Sequence, residues 1–264
     1  MILSALHIYP IKSTAGLDLP FVDVQERGLE NDRRWMIVDD EGRFRTGRDI
    51  SRLVLIRAEP EVAGLRLTAP GMPDLCVSAP GHSAPRMTVT VWDDVVDAAC
   101  TDAGANAWLG EFLQRPVRLV MMDERSLRTI SSQPPTAPAS VSFADGYPLL
   151  AISQSAVDNL NEKLPMPISM QRFRPNLVIG DCPPHAEDSW QRVRIGAVEF
   201  EAVKTCVRCV FTTVDPILGA RDPFGEPLRT LKNYRRSERG ITFGMNLIAR
   251  GSGRIHVGDA VIAG

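Results

Sequence analysis

The chain opens on a run, Ile2 to Tyr9, that alternates like a strand, and comparable short segments rich in Val, Ile, Leu and Thr follow at Arg34 to Asp39, Arg52 to Glu59, Leu65 to Ala69 and Met87 to Trp92. Runs of this kind bounded by turn residues predict β-strands. Gly42, after Asp39, Asp40 and Glu41, and the Pro70, Gly71 pair supply the turns between them. The pattern changes at Asp102 to Arg115, where Ala103, Ala107, Leu109, Phe112 and Leu113 fall at near-helical spacing until Pro116 ends it. That segment predicts a helix.

A core-poor stretch, SSQPPTAPAS at Ser131 to Ser140, holds three prolines and reads as a loop, placed as a cover near a substrate entrance. Ordered character resumes at Tyr147 to Ile152, and Ser153 offers an N-cap for a helix running to about Leu164, before Pro165 and Pro167. Further β-type pieces lie at Asn176 to Ile179, Val193 to Ile195, Val198 to Val203, Met245 to Ala249 and Arg254 to Ile262, with a short helical stretch around Pro227 to Arg235. The pattern predicts a mainly β protein with a few helices (α+β), in two lobes.

Composition narrows the class. A length of 264 residues fits one large domain or two modest ones, and 44% hydrophobic with 23% charged residues describes a chain that folds. Thirty basic against 32 acidic residues leave no basic field for nucleic acid or an anionic membrane. No apolar run approaches the roughly 18 to 20 residues that span a bilayer, and the N-terminus lacks the features of a signal peptide. Five sparse cysteines do not form a secreted disulfide framework. These features place the protein in a reducing compartment, the cytoplasm.

The most informative stretch is TCVRCVFTTVDP, Thr205 to Pro216. Its two thiols could belong to a zinc site, although Cys76, Cys100 and Cys182 are singletons; to a dithiol redox pair, although the flanks are β-like on both sides; or to a strand core as small hydrophobes. Arg208 adds a fourth reading, because a guanidinium beside a thiol favours the thiolate that soft metals bind. Asp215 reads as a turn residue before Pro216 or as a proton carrier. Basic side chains also recur in short polar contexts: IYPIKS at Ile8 to Ser13, DRRW at Asp32 to Trp35 and RFRPN at Arg172 to Asn176. Lysine, serine and arginine in such contexts suit phosphate oxygens, and the chain has neither of the common nucleotide-phosphate loops to account for them.

Taken in order, IYPIKS, GLENDRRWMIVD, RFRPN, EDSW, RCVFTTVDP, PLRTLKNYR, the FG pair at Phe243 and Gly244, and IHVGDAV resemble the MOSC proteins over the whole length. The resemblance is to the two-part kind typified by the mitochondrial amidoxime reducing component and its bacterial relatives. It implies an N-terminal MOSC-associated β-barrel region over residues 1–120 and a MOSC domain over residues 121–264. It further implies a molybdenum cofactor, a molybdopterin dithiolene with Cys209 as protein ligand. Lys12, Ser13 and Arg33 would hold the cofactor phosphate, Ser153, Ser155, Arg174 and Asn176 would line the pterin pocket, and Arg208, beside the ligand, would bind the cofactor together with Cys209. The implied activity is reduction of N-hydroxylated compounds such as amidoximes and hydroxylamines, with Cys209 as the catalytic residue. The alternative is a cofactor carrier or sulfur-relay protein without turnover. Neither a membrane-anchoring segment ahead of the domain nor an iron–sulfur extension or four-cysteine set is expected, so electrons would come from a separate donor protein. Val207 stands where relatives offer a small polar residue.

Overall fold

The computed structural model describes residues 1–130 and 139–264. Most of the proline-rich segment, and with it the expectation of an entrance cover, lies outside the described residues. The protein is mostly β. Its principal sheet has nine strands in the order Val261–Ala263, Arg192–Ile195, Val198–Val207, Gly240–Ala249, Leu149–Ser153, Leu177–Gly180, Ile2–Ile8 and Leu17–Leu19, with Arg236–Ser237 hairpinned onto Gly240–Ala249. Leu149–Ser153 and Leu177–Gly180 run parallel, and the crossover that such a pair needs contains the helix Gln154–Asn161.

This sheet curls until its Val261–Ala263 edge reaches the start of Ile2–Ile8. Val261 N donates to Met1 O at 3.0 Å and Leu3 N to Asp259 O at 2.9 Å, which pairs otherwise open edges as closed β-architectures do. The interior is filled by Leu6, Leu177, Ile179, Phe200 and Leu247, all buried. Each such side chain contributes about 1.5 to 3 kcal/mol relative to exposure.

The second lobe joins a four-stranded sheet, Trp35–Val38, Arg118–Met121, Asp94–Cys100 and Arg86–Val91, to a three-stranded one, Arg57–Glu61, Gly64–Thr68 and Leu75–Ser78. The helix Ala103–Leu113 packs with them around Leu53, Leu67, Trp108 and Phe112. Asp102 caps it by accepting from Ala105 N at 2.9 Å, and Gln114 ends it in the left-handed region.

The first two strands of the chain lie in the barrel sheet, and Phe21–Gln25 pairs with Gly253–His256. Residues on either side of position 120 therefore share one framework. The chain passes between lobes at residues 9–16 and again at 30–35, and these passages are tied together: Arg33 N donates to Tyr9 O at 2.9 Å and Lys12 N to Trp35 O at 2.8 Å. Lys12, Ser13 and Arg33 all sit on them.

Several elements differ from the sequence expectation. Ser51–Leu55 is a 3-10 helix and the strand begins at Arg57; Leu53 and Val54, adjacent in sequence, are both buried, which alternation along a strand disfavours. The helix from Gln154 stops at Asn161, whose amide pairs with Ile168 N and O at 2.9 and 3.1 Å and fixes the turn. The segment expected as one strand to Ile262 is two, separated at Gly258 with φ +101°. No helix among the described residues is long and apolar enough to cross a membrane.

Candidate functional site

Between the lobes lies a cleft enclosing about 880 Å³ including its open mouth, within the range of small-molecule sites. Lys12, Ser13, Arg33, Arg174, Asn176, Arg208 and Cys209 all line it, although they come from four distant stretches of chain. Among the described residues six cations, Lys12, Arg33, Arg48, Arg172, Arg174 and Arg208, line it against one carboxylate, Asp145.

Local backbone conformation aims several of these groups. Ser13, Arg33 and Arg174 have φ of 70°, 50° and 56°, a region that costs a non-glycine residue energy and that clusters at functional sites. The ring of Tyr9 lies beneath both guanidiniums, 4.5 Å from Arg33 Cζ and 4.0 Å from Arg174 Cζ. Arg33 is anchored by Asp32 at 2.6 Å and by Asn176 Oδ1 at 3.0 Å. Asn176 also donates to His7 O at 3.1 Å and accepts from Leu150 N at 3.3 Å, so it positions Arg33 and the backbone. Arg174 Nη1 donates to Thr14 O at 2.5 Å, whereas its Nη2 is buried with no partner. An unpaired buried donor of a charged group is costly, and Arg174 is among the residues that line the cationic cleft.

Electrostatics agree. Burial pushes the Lys12 ammonium down to about 8, against the opposing pull of Asp145. Burial likewise draws Arg174 down to about 10, and neighbouring Arg33 adds to that. Arg33 is displaced upward, because Asp32 and its hydrogen bond outweigh the burial that opposes its charge. Asp145, 62% exposed on the cleft, is held well below the usual carboxylate range; the walls around it disfavour charge, but Lys12 at 2.6 Å and then Arg48 overcome them.

The two thiols part company where the strand Val198–Val207 ends. Cys206 is still in that strand, and Cys209 precedes a single 3-10 turn, Val210–Thr213. Arg208, expected to serve Cys209, instead donates to Cys206 Sγ at 2.9 Å and to Phe173 O at 2.7 Å. The guanidinium beside Cys209 is that of Arg48, whose Nε stands 3.2 Å from Sγ. Ser153 and Ser155, expected in the pterin pocket, do not line the cleft. Ser153 is buried and accepts from His185 N at 3.2 Å, while Ser155 donates to Cys182 O at 2.8 Å; the end of their strand and the first turn of the helix after it face the Cys182–His185 loop. Asp215 is a turn residue: it accepts from Ile217 N and Leu218 N at 2.8 and 2.9 Å and pairs with Arg172 at 2.9 Å.

Residues 1–116 match the MOSC N-terminal beta barrel domain and residues 138–262 the MOSC domain. The chain is also 35% identical to mitochondrial amidoxime-reducing component 1 of Mus musculus, over 97% of this chain and 80% of that protein. The chain belongs to the MOSC family. Its Homo sapiens relative of the same name is 34% identical over 97% of this chain and 81% of that protein, and mitochondrial amidoxime reducing component 2 of Rattus norvegicus is 34% identical over 98% and 82%. In this MOSC protein, sequence reading missed Tyr9, Arg48 and Asp145. Tyr9 lies in the quoted IYPIKS motif but reads as an ordinary core aromatic, and the short RTGRD and ADG segments holding the other two carry no pattern that sets them apart.

Proposed function

We propose that this protein is a molybdenum-cofactor-dependent oxidoreductase that reduces N-hydroxylated compounds, with electrons from a separate donor protein. The observation that carries the reading is the meeting, in one cleft, of Cys209 with a cationic set whose Arg174 Nη2 is buried and unpaired. A phosphate fits this set: it brings nearly two negative charges to a cleft rich in cations, and acceptor oxygens to an arginine, Arg174, whose Nη2 has none. Lys12, Ser13, Arg33 and Arg174 would hold the phosphate, and the sulfur of Cys209 suits a soft metal. When bound, the molybdenum cofactor supplies the two-electron cleavage of the N–O bond, with two protons carrying the oxygen away as water. Tyr9 and Asn176 keep the arginine pair oriented, and the apolar Leu149, Leu150 and Phe173 form a drier wall of the cleft. The ionised Asp145, open to the cleft, offers an acceptor to substrate N–H groups. The family relationship supports the substrate class through the names of the relatives, and the dispersed cysteines support a cytoplasmic setting and an external electron source.

The test is metal analysis of protein from a cofactor-producing host, followed by benzamidoxime reduction with reduced viologen. Bound molybdenum with turnover on viologen but not on NADH alone is expected. Molybdenum without turnover would favour a carrier, and absence of molybdenum would refute the reading.

A further inference from the structure

We infer that Arg48, brought from the N-terminal lobe, is the positioning residue that orients and polarises the sulfur of Cys209. The inference rests on the molybdenum reading above and deepens it. Arg48 Nε stands 3.2 Å from Cys209 Sγ across 161 positions of sequence. The rest of the guanidinium is clamped. Its Cζ lies 4.2 Å from the ring of Trp92, and Nη2 is 3.5 Å from Asp145 Oδ2. Trp92 is itself fixed, by donation from Nε1 to Asp145 Oδ1 at 3.3 Å, by an edge contact with Phe44 at 5.1 Å, and by a backbone φ of 56°.

The backbone around Arg48 is equally constrained. Its N–H donates to Thr46 Oγ1 at 3.2 Å, and its carbonyl accepts from Arg221 on the loop that follows the Cys209 segment. At Gly47 a Cβ would lie 2.0 Å from Phe211 Cε2. A residue without Cβ is what lets the Thr46–Arg48 turn approach the chain just beyond Cys209.

Three simultaneous contacts, to sulfur, carboxylate and indole, use the planar fork of arginine, and a lysine point charge cannot reproduce them. Arg208, the neighbour in sequence, has its guanidinium engaged by Cys206 and Phe173. Groups that hydrogen-bond to a ligating sulfur orient it and tune its metal. Such a bond strengthens as charge builds on sulfur, so it favours the reduced metal centre.

The full-length, cofactor-loaded wild type, Arg48→Gln and Trp92→Ala proteins should be compared by molybdenum content, Mo(V) electron paramagnetic resonance and redox titration. Arg48→Gln should keep its molybdenum, show altered g values and titrate at a more negative potential, with kcat for benzamidoxime reduced more than KM. Trp92→Ala, which leaves the arginine but loosens it, should shift the same readings in the same direction by less. A loaded Arg48→Gln protein with wild-type resonance and potential would overturn the inference. Should that variant lose its metal, Trp92→Ala decides, and a wild-type spectrum and potential there would overturn it. A wild type that takes up no molybdenum refutes the proposed function itself, a result distinct from either.

Discussion

Replacing Lys12 by Met tests whether the cleft is built for an anion at the expense of the empty protein's stability. Lys12 is 5% exposed, and burial lowers its ammonium from 10.5 to about 8. At 1.36 kcal/mol per tenfold change, that difference corresponds to about 3 kcal/mol disfavouring the charged form. Between pH 8 and 10.5 the folded chain binds fewer protons than the unfolded one, so stability rises with pH across that window. The cost of the ammonium is fully present below pH 8 and gone above 10.5. Apoprotein stability measured by urea unfolding should therefore rise by about 3 kcal/mol in wild type relative to Lys12→Met from pH 7.5 to 11. In thermal melts this is roughly 6 to 10 °C. Other titrating groups cancel in the comparison. Below pH 8 the variant should be as stable as wild type or more so, although it forfeits the Lys12 bonds to Phe143 O and Asp145. A bound phosphate group would raise the ammonium again, so loaded wild type should lack the rise. A flat difference between the two apoproteins across this pH range would refute the reasoning.

Cys209→Ser should abolish N-reduction with the fold retained by circular dichroism, whereas Cys206→Ser, which keeps an acceptor for Arg208, should retain most turnover; equal losses would point to a working dithiol. Loaded protein should melt several degrees above apoprotein, since a hundredfold excess over the dissociation constant contributes about 2.7 kcal/mol, and equal melting temperatures would count against the cationic cleft. Gly47→Ala places a methyl 2.0 Å from Phe211 Cε2 and should cost about 1 to 3 kcal/mol by overpacking, read as a lowered urea midpoint; an unchanged midpoint would show that the turn yields freely.

Local pattern determined much of this protein. The helix at Ala103–Leu113 was legible because its apolar residues recur at helical spacing between Asp102 and Pro116, and the first strand because it alternates. The motifs also identified Lys12, Ser13, Arg33, Arg174, Asn176, Arg208 and Cys209, which do share one cleft. Tertiary structure decided what each of them does there. Asn176 is spent on positioning, Arg208 turns to Cys206, and Ser153 and Ser155 face a loop on the other side. Arg48 reaches Cys209 from 161 residues away. Side-chain periodicity is a property of neighbours along the chain, whereas these pairings depend on how the barrel closes, where the chain crosses between lobes, and how near the glycine at position 47 lets one lobe approach the other. Those are long-range contacts of the folded backbone, and no local run of residues encodes them.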